Sequence, residues 1–433
     1  MPASKHLRRS RRRTAFGVAA ACVLVGTAAV APAEGGDAAA RALRKARRGG
    51  GVLPLPTDPP PGNVPDLPPW WLDPFGEAPR DDSLDAGGFV VCGDGATYEN
   101  LADLGLGDPY VGSDYFVIGP MAEGDVDQAF LDWLVAALPG ACIEPDWRMR
   151  PPEGLQSNRI IVGSELGAAY PVQPALQQIG APIAHRIATG RDVVVAVLDT
   201  GVDATHASLA GVVLPGADFV DMDLDAADAA DGIDSDDDGE ADESFGHGTI
   251  VAGLVHVAAP GARILPVRVL DSDGLGSARS VADGVRYARE QGADVINLSL
   301  GMRAHSVLVE EEIRLALEQG IVVVAASGNE GRRGADFPAS VEGVVAATAV
   351  GRNGRRARFA NGRGKLGVVA PGRDLVGPYP GATWARATGT SFSAALVSAA
   401  AALLRERRPE LGGFEAAEIL TQSPRLRLPR LLR

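Results

Sequence analysis

Cysteine is scarce in this 433-residue chain: Cys22, Cys92 and Cys142 are its complement, and their spacing matches no zinc site. Positive charge is also short, with 41 Lys and Arg against 55 Asp and Glu for a net charge of -14. A dedicated nucleic-acid binder, which needs a basic face for phosphates, is therefore not expected. Past residue 33 no run is apolar enough to span a membrane. Histidines number 6, so one in an unusual setting stands out. What the chain does have is 46% apolar residues, enough for a large core.

The charge is unevenly placed. Arg8, Arg9, Arg11, Arg12 and Arg13 crowd the start, and Ala15 to Val30 follows as a run of small and apolar residues closed by Ala31-Pro32-Ala33. A basic start, a short apolar stretch and an A-x-A ending predict an export signal over residues 1–33, with secretion or delivery to the cell envelope or periplasm. An uncleaved membrane anchor is the alternative, since the run is near the shortest spanning length. Cys22 would leave with the signal; Cys92 and Cys142 then form an even pair in an exported chain, which predicts a disulfide.

Residues 34–84, with Pro59-Pro60-Pro61 and Pro68-Pro69, read as an extended, disordered linker. Residues 85–150 read as a small αβ domain. Tyr115–Gly119 is its first strand, Phe130, Leu131, Trp133, Leu134 and Leu138 mark a helix, and Cys142–Pro145 is the returning strand. After a connecting segment, 151–174, apolar strands alternate with helices over 175–424, ahead of a basic tail at 425–433. Asp192–Leu198, Arg263–Leu270, Asp294–Leu300 and Ile321–Ala326 are β-rich, whereas Ser277–Gln291 and Ser306–Gln319 are helical. Continuously apolar strands belong to parallel sheets buried on both faces. The pattern predicts an α/β fold with a doubly wound, mostly parallel sheet and helices on both faces. Ligands in such sheets sit beyond the carboxyl ends of the strands, so polar residues there are the candidates for chemistry.

Four such places stand out. Asp199 follows Val193–Leu198 directly and is followed by Thr200-Gly201, although Asp-Thr-Gly is also ordinary turn chemistry. His247 lies in Phe245-Gly246-His247-Gly248-Thr249 at the start of an apolar helix, between glycines that allow a sharp turn and an accessible imidazole. Ser391, in Gly389-Thr390-Ser391, opens a helix apolar nearly all round to about Leu404. The free N–H groups of such a helix start favour a developing oxyanion; a simple capping serine is the other reading. Asn329, in Ser327-Gly328-Asn329, follows a strand and has an amide able to donate to an oxyanion. His185, His206, His256 and His305 are read as ordinary hydrogen-bonded residues. Acyl transfer needs a nucleophile, a base, a carboxylate to orient the base and an oxyanion donor, and one of each is present. The chain order is Asp, His, Ser, and no G-x-S-x-G elbow surrounds Ser391.

On these motifs the stretch from about Gln178 to Leu404 resembles a subtilase catalytic domain. Val197-Leu198-Asp199-Thr200-Gly201, Gly246-His247-Gly248-Thr249, Gly389-Thr390-Ser391 and Ser327-Gly328-Asn329 match that family's aspartate, histidine, serine and oxyanion motifs. Ala370-Pro371-Gly372 is a further landmark. The resemblance implies a secreted serine endopeptidase, working as a monomer on polypeptide substrates through an acyl-enzyme on Ser391. Its rival is a catalytically inactive member used as a binding protein. The resemblance further implies that Ser299, Leu300 and Gly301 form an edge pairing with extended substrate, that Ala326, Ser327 and Gly328 line the opposing wall, and that residues 85–150 are a propeptide. Where the family has Met-Ala and then Pro after the serine, this chain has Phe392, Ser393 and Ala395.

Two further expectations concern the acidic residues. Asp234, Asp236, Asp238, Glu240 and Asp242 alternate around Gly239 like the start of an EF-hand loop, though Phe245 stands where a bidentate Glu belongs. They are candidate ligands of a structural calcium ion, none being required for the chemistry. By the resemblance, the loop Arg332–Asp336 lies near the floor of the main specificity pocket with Glu330 at its rim. An acidic floor favours Lys or Arg before the cut, unless Asp336 pairs with Arg332 or Arg333 instead.

Overall fold

The computed structural model describes residues 89–92, 110–111, 115–118, 137–138, 141–152 and 160–433, apart from 237 and 363–366. The expected export signal, the linker and most of the helix through Phe130–Leu138 lie outside them. No helix among the described residues is long and apolar enough to cross a membrane.

Strands β1 (Phe89–Cys92), β2 (Tyr110–Val111), β3 (Tyr115–Ile118) and β4 (Cys142–Pro145) form an antiparallel sheet in the order β2-β3-β1-β4. The two strands expected here are therefore joined by two more. Cys92 stands opposite Cys142 in the β1–β4 register. Antiparallel partners lie about 4.5–5.5 Å apart at Cα, within the span of a disulfide.

Seven strands form the main sheet, and every pairing in it is parallel. They are β7 (Val194–Asp199), β8 (Ala217–Asp218), β9 (Arg263–Arg268), β11 (Val295–Leu298), β12 (Val322–Ala326), β13 (Val345–Val350) and β14 (Val368–Pro371). Their order is β14-β13-β12-β11-β7-β9-β8, so from β7 the chain goes first to the edge at β8, returns to β9 beside β7, and then builds outward on the other side from β11 to β14. On β7, Val195 and Val197 enter one core layer while Ala196 and Leu198 enter the other. Helices α1 (His247–Ala258) and α4 (Thr390–Arg407) fill the first layer; α2 (Ala278–Glu290) and α3 (Val307–Glu318) fill the second. Every residue of α4 from Thr390 to Leu404 is buried. Its alanines leave room for the sheet and α1 to close around it, as the all-round apolar pattern predicts.

The small sheet docks on the second layer through acids at helix starts. Glu144 accepts hydrogen bonds from Ser306 Oγ at 2.7 Å, Val307 N at 2.7 Å and Leu308 N at 3.2 Å, at the start of α3. Asp146 accepts from Arg279 N at 3.0 Å at the start of α2. Both carboxylates satisfy helix donors that have no partner within the helix, and both meet the positive dipole end. From there β5 (Arg148–Met149) pairs antiparallel with β10 (Gly276–Ser277), while β6 (Ile161–Val162) joins a separate three-stranded sheet.

Close packing also holds α1 in place. A Cβ on Gly253 would lie 2.0 Å from Pro378 Cδ. Gly253→Ala is accordingly expected to lower stability by about 1–3 kcal/mol, the usual cost of an extra carbon in a filled core. Urea unfolding checks this, and an unchanged midpoint would show that Pro378 yields freely.

Candidate active site

Asp199 ends β7 at the place where strand order reverses, with β8 and β9 to one side and β11 to β14 on the other. This switch point is where doubly wound sheets open a crevice. His247 begins α1 after Gly246, whose φ of 84° is left-handed. A Cβ on Gly248 would lie 2.2 Å from Gly201 O, so the turns bearing Asp199 and His247 touch at a point only glycine allows. The result is a 2.7 Å contact between His247 Nδ1 and Asp199 Oδ1. Asp199 Oδ1 also accepts from Thr200 N at 2.8 Å. The imidazole is only 1% exposed, contrary to the expected accessibility, because the ring of Phe392 packs 5.2 Å from it, centroid to centroid.

A second acid, not singled out in the sequence, sits beneath this pair. Asp228 accepts from Gly246 N at 3.0 Å, Thr249 N at 3.1 Å, Thr249 Oγ1 at 2.6 Å and Thr200 Oγ1 at 3.2 Å. Thr200 Oγ1 in turn accepts from Gly248 N at 3.0 Å. Asp228 thus ties the aspartate turn to the histidine turn. Burial, reinforced by the nearby Asp199, pushes its carboxyl up to about 7 despite these donors.

Ser391 lies on the first turn of α4, but it is not the cap: Gly389 holds that position and offers no side chain. The Ser391 hydroxyl instead donates to Ser299 O at 3.1 Å, and Ser299 Oγ donates to Ser391 O at 3.1 Å. A buried chain continues from Asn297 Nδ2 to Ser299 Oγ at 2.9 Å and from Ser398 Oγ to Asn297 Oδ1 at 2.9 Å, fixing α4 against β11. Asn329 is fully buried, and its Oδ1 accepts from Thr390 N at 3.1 Å and Thr390 Oγ1 at 3.0 Å. Its carbonyl end is held by the residue before Ser391, which makes the amide nitrogen the donor end of that side chain. The residues that depart from the family pattern are accommodated: Phe392 covers the imidazole, and Ser393 Oγ donates to Pro371 O at 3.1 Å. Of the remaining histidines, His185 meets Ala258 O at 3.0 Å and His206 meets Thr383 O at 3.0 Å, as expected of bonded residues.

Gly301 lies on a strand edge that Arg150 occupies. Arg150 N donates to Gly301 O at 3.3 Å and Gly301 N donates to Arg150 O at 2.9 Å. Residues 148–150 therefore run as a middle strand between Gly301 and the β10 edge, Gly276–Ser277, which sequence reading missed. The backbone of Ser327 and Gly328 is committed elsewhere, to Ala347 O at 3.0 Å and Thr390 Oγ1 at 3.3 Å. Ala326 is buried as the last residue of β12.

The acidic loop departs from its expected ligand set. Asp234, Asp236 and Asp273 bring carboxylate oxygens within 4.8 Å of one another, as do Asp236, Asp238 and Glu243. Glu240 and Asp242 join neither group; Asp242 Oδ1 accepts from Asp231 N at 2.9 Å and Gly232 N at 3.1 Å. The loop runs into the His247 helix, and the third member of each group is Glu243 or, from beyond β9, Asp273. Burial and then the charges of Asp238, Asp236 and Asp273 raise the Glu243 carboxyl to about 7.

Asp228 gives a pH dependence. The folded chain holds this proton more tightly than the unfolded chain, so its stabilising contribution is full below the ordinary carboxylate value and is lost as pH rises toward about 7. Asp228→Asn is expected to flatten the decline in denaturation midpoint between about pH 4 and about pH 7. A slope identical to that of the unaltered chain would contradict it.

Comparison with known proteins places the sequence and the fold. The model of the subtilase family matches residues 190–426. A thermophilic serine proteinase of Bacillus sp. (strain AK1) is 43% identical over 220 residues, 48% of this chain and 51% of that protein. Thermitase of Thermoactinomyces vulgaris is 36% identical over 251 residues, 56% of this chain and 85% of thermitase. The chain thus spans about half of the first relative and most of the second. In fold it is similar to fervidolysin from Fervidobacterium pennivorans, with a TM-score of 0.64 at 23% identity, covering 82% of this chain and 62% of that one. Matching family sequence, parallel-sheet architecture and an Asp–His pair at the switch point together establish that the chain belongs to the subtilase family of subtilisin-like serine endopeptidases.

Proposed function

We propose that Ser391 is the nucleophile of a peptide-bond hydrolase, with His247 as its general base, Asp199 orienting the imidazole, and Asn329 and the Ser391 backbone N–H receiving the oxyanion. The observation that carries this reading is the buried 2.7 Å Asp199–His247 contact, with Phe392 of the first turn of α4 packed on the imidazole. With Nδ1 engaged by Asp199, Nε2 is the imidazole nitrogen that takes the serine proton; Asp199 stabilises the imidazolium that forms. The proton then passes to the leaving amine, and a water repeats the sequence on the acyl-enzyme. The positive dipole end of α4 favours developing negative charge beside Ser391.

The substrate is read as an extended polypeptide lying between Gly301 and Gly276–Ser277. The chain's own residues 148–150 supply the pattern by making that pairing. We read residues 85–150 as a propeptide that docks through Glu144 and Asp146 and fills this cleft, and residues 1–33 as the signal that exports it. The two acidic groups around Asp236 suit a calcium ion, since hard carboxylate oxygens favour it.

Ser391→Ala is expected to abolish labelling by a fluorophosphonate probe. Absence of labelling in the matured, unaltered enzyme would favour the inactive binding-protein alternative. Asn329→Ala is expected to lower kcat by about 10²–10³ with little change in KM, a magnitude taken from the corresponding oxyanion donor of subtilisin. Chelation is expected to lower the thermal midpoint and added calcium to restore it, by about 2.7 kcal/mol at a free concentration of about 100 Kd. A midpoint indifferent to both removes calcium.

A further inference from the structure

The site around His247 makes no use of the basic tail, yet the fold holds that tail in place. From Ile419 to Arg433 the chain carries four arginines and no acid, against a net charge of -14 for the whole. Val369 N donates to Pro424 O at 3.0 Å and Leu426 N donates to Val369 O at 2.9 Å, so the tail adds beside β14, the last strand of the main sheet. Leu426, Leu428 and Leu432 enter the first core layer. Alternation with these leucines turns Arg425 and Arg427 outward, and Arg430 and Arg433 are exposed as well.

These arginines share one cavity. Arg425, Arg427, Arg430 and Arg433 line it together with Arg408, which follows α4, and with Ile419 and Leu420 from the end of α5 (Gly413–Thr421). Its volume is about 310 Å³, within the range of small-ligand sites. Among the described residues no carboxylate side chain lines it. The Arg427 guanidinium is fixed by donating to Gln178 O. One cation beside the negative dipole end of α4, where Arg408 stands, is ordinary. Five guanidiniums around one cavity with no acid among them repel one another, and an anion relieves that cost.

We propose that this cavity is a binding site for phosphate groups, which tethers the protein to a phosphate-bearing ligand. A guanidinium offers paired donors that match two oxygens of a phosphate. A phosphate has oxygens enough for several arginines at once, whereas a carboxylate has two, so a ring of five favours the phosphate. Helix α4 runs 18 residues from Thr390 to Arg407, about 27 Å at 1.5 Å per residue. Arg408 therefore stands at the opposite end of that helix from Ser391, and a ligand held there leaves the cleft free. The inference is independent of the peptidase reading.

The test titrates the full chain with sodium tripolyphosphate by calorimetry and, in a second arm, sediments it with phosphatidylglycerol vesicles. Tripolyphosphate is expected to bind, and Arg425→Gln combined with Arg430→Gln to weaken it about tenfold or more through the lost charge-assisted bonds. Arg408→Gln, on a separate segment, should weaken it too, so the result does not hang on the folding of the tail. Arg352→Gln combined with Arg355→Gln removes equal charge from exposed positions outside the cavity. That pair is expected to change affinity less than about twofold at about 0.1 M salt, where distant charges are screened. Vesicle binding that tripolyphosphate displaces assigns a lipid headgroup as the source of the phosphate; tripolyphosphate binding without vesicle binding assigns a free oligophosphate. Binding to neither, vesicle binding that tripolyphosphate leaves unmoved, or an equal loss in the two double variants would overturn the proposal.

Discussion

The structure turns on the burial of two carboxylates beneath one imidazole. Asp199 and Asp228 are each enclosed at the carboxyl end of β7, where water cannot solvate them. An isolated buried charge is costly, so the surrounding chain must supply donors. It does so with the backbone N–H groups of Thr200, Gly246 and Thr249, the hydroxyls of Thr200 and Thr249, and the imidazole itself. These requirements explain why glycines flank His247: the donors can converge only if the two turns come within contact of each other.

The same device recurs where the N-terminal sheet meets the catalytic fold. Glu144 and Asp146 occupy the starts of α3 and α2 as Asp228 occupies the start of α1, and burial raises the carboxyls of all three. Helix donors are a cheap way to hold an acid in a dry place, because they need partners in any case. On the propeptide reading, this makes the docked segment a supplier of caps that α2 and α3 complete only in part with Ser277 and Ser306.

The parallel sheet was legible because its strands are uninterrupted runs such as Val193–Leu198 and Val322–Ala326, which only a doubly buried sheet accommodates. The catalytic candidates were legible because each lies immediately after such a run or at the start of a helix. Asp228 was not, since the acidic excursion places it far from Gly246 in sequence although it bonds that residue directly. Asp273 was hidden for the same reason. Its partners arrive from a loop on another strand, and no local periodicity records that. Glu240 and Asp242 show the opposite failure, since alternation in sequence did not bring their oxygens to the shared groups, and the Asp242 oxygens instead satisfied the backbone.

The cleft carries the remaining lesson. Residues 148–150 pair on both sides, but the ladder to Gly301 stops at Arg150, and Pro151 and Pro152 follow. Proline has no N–H to extend such pairing and its ring fixes φ. An edge strand that would otherwise take the next donor therefore has acceptors to spare, and Ser299 O is met instead by the Ser391 hydroxyl. On the propeptide reading, backbone bonds hold the segment as far as Arg150, and the two prolines end that pairing.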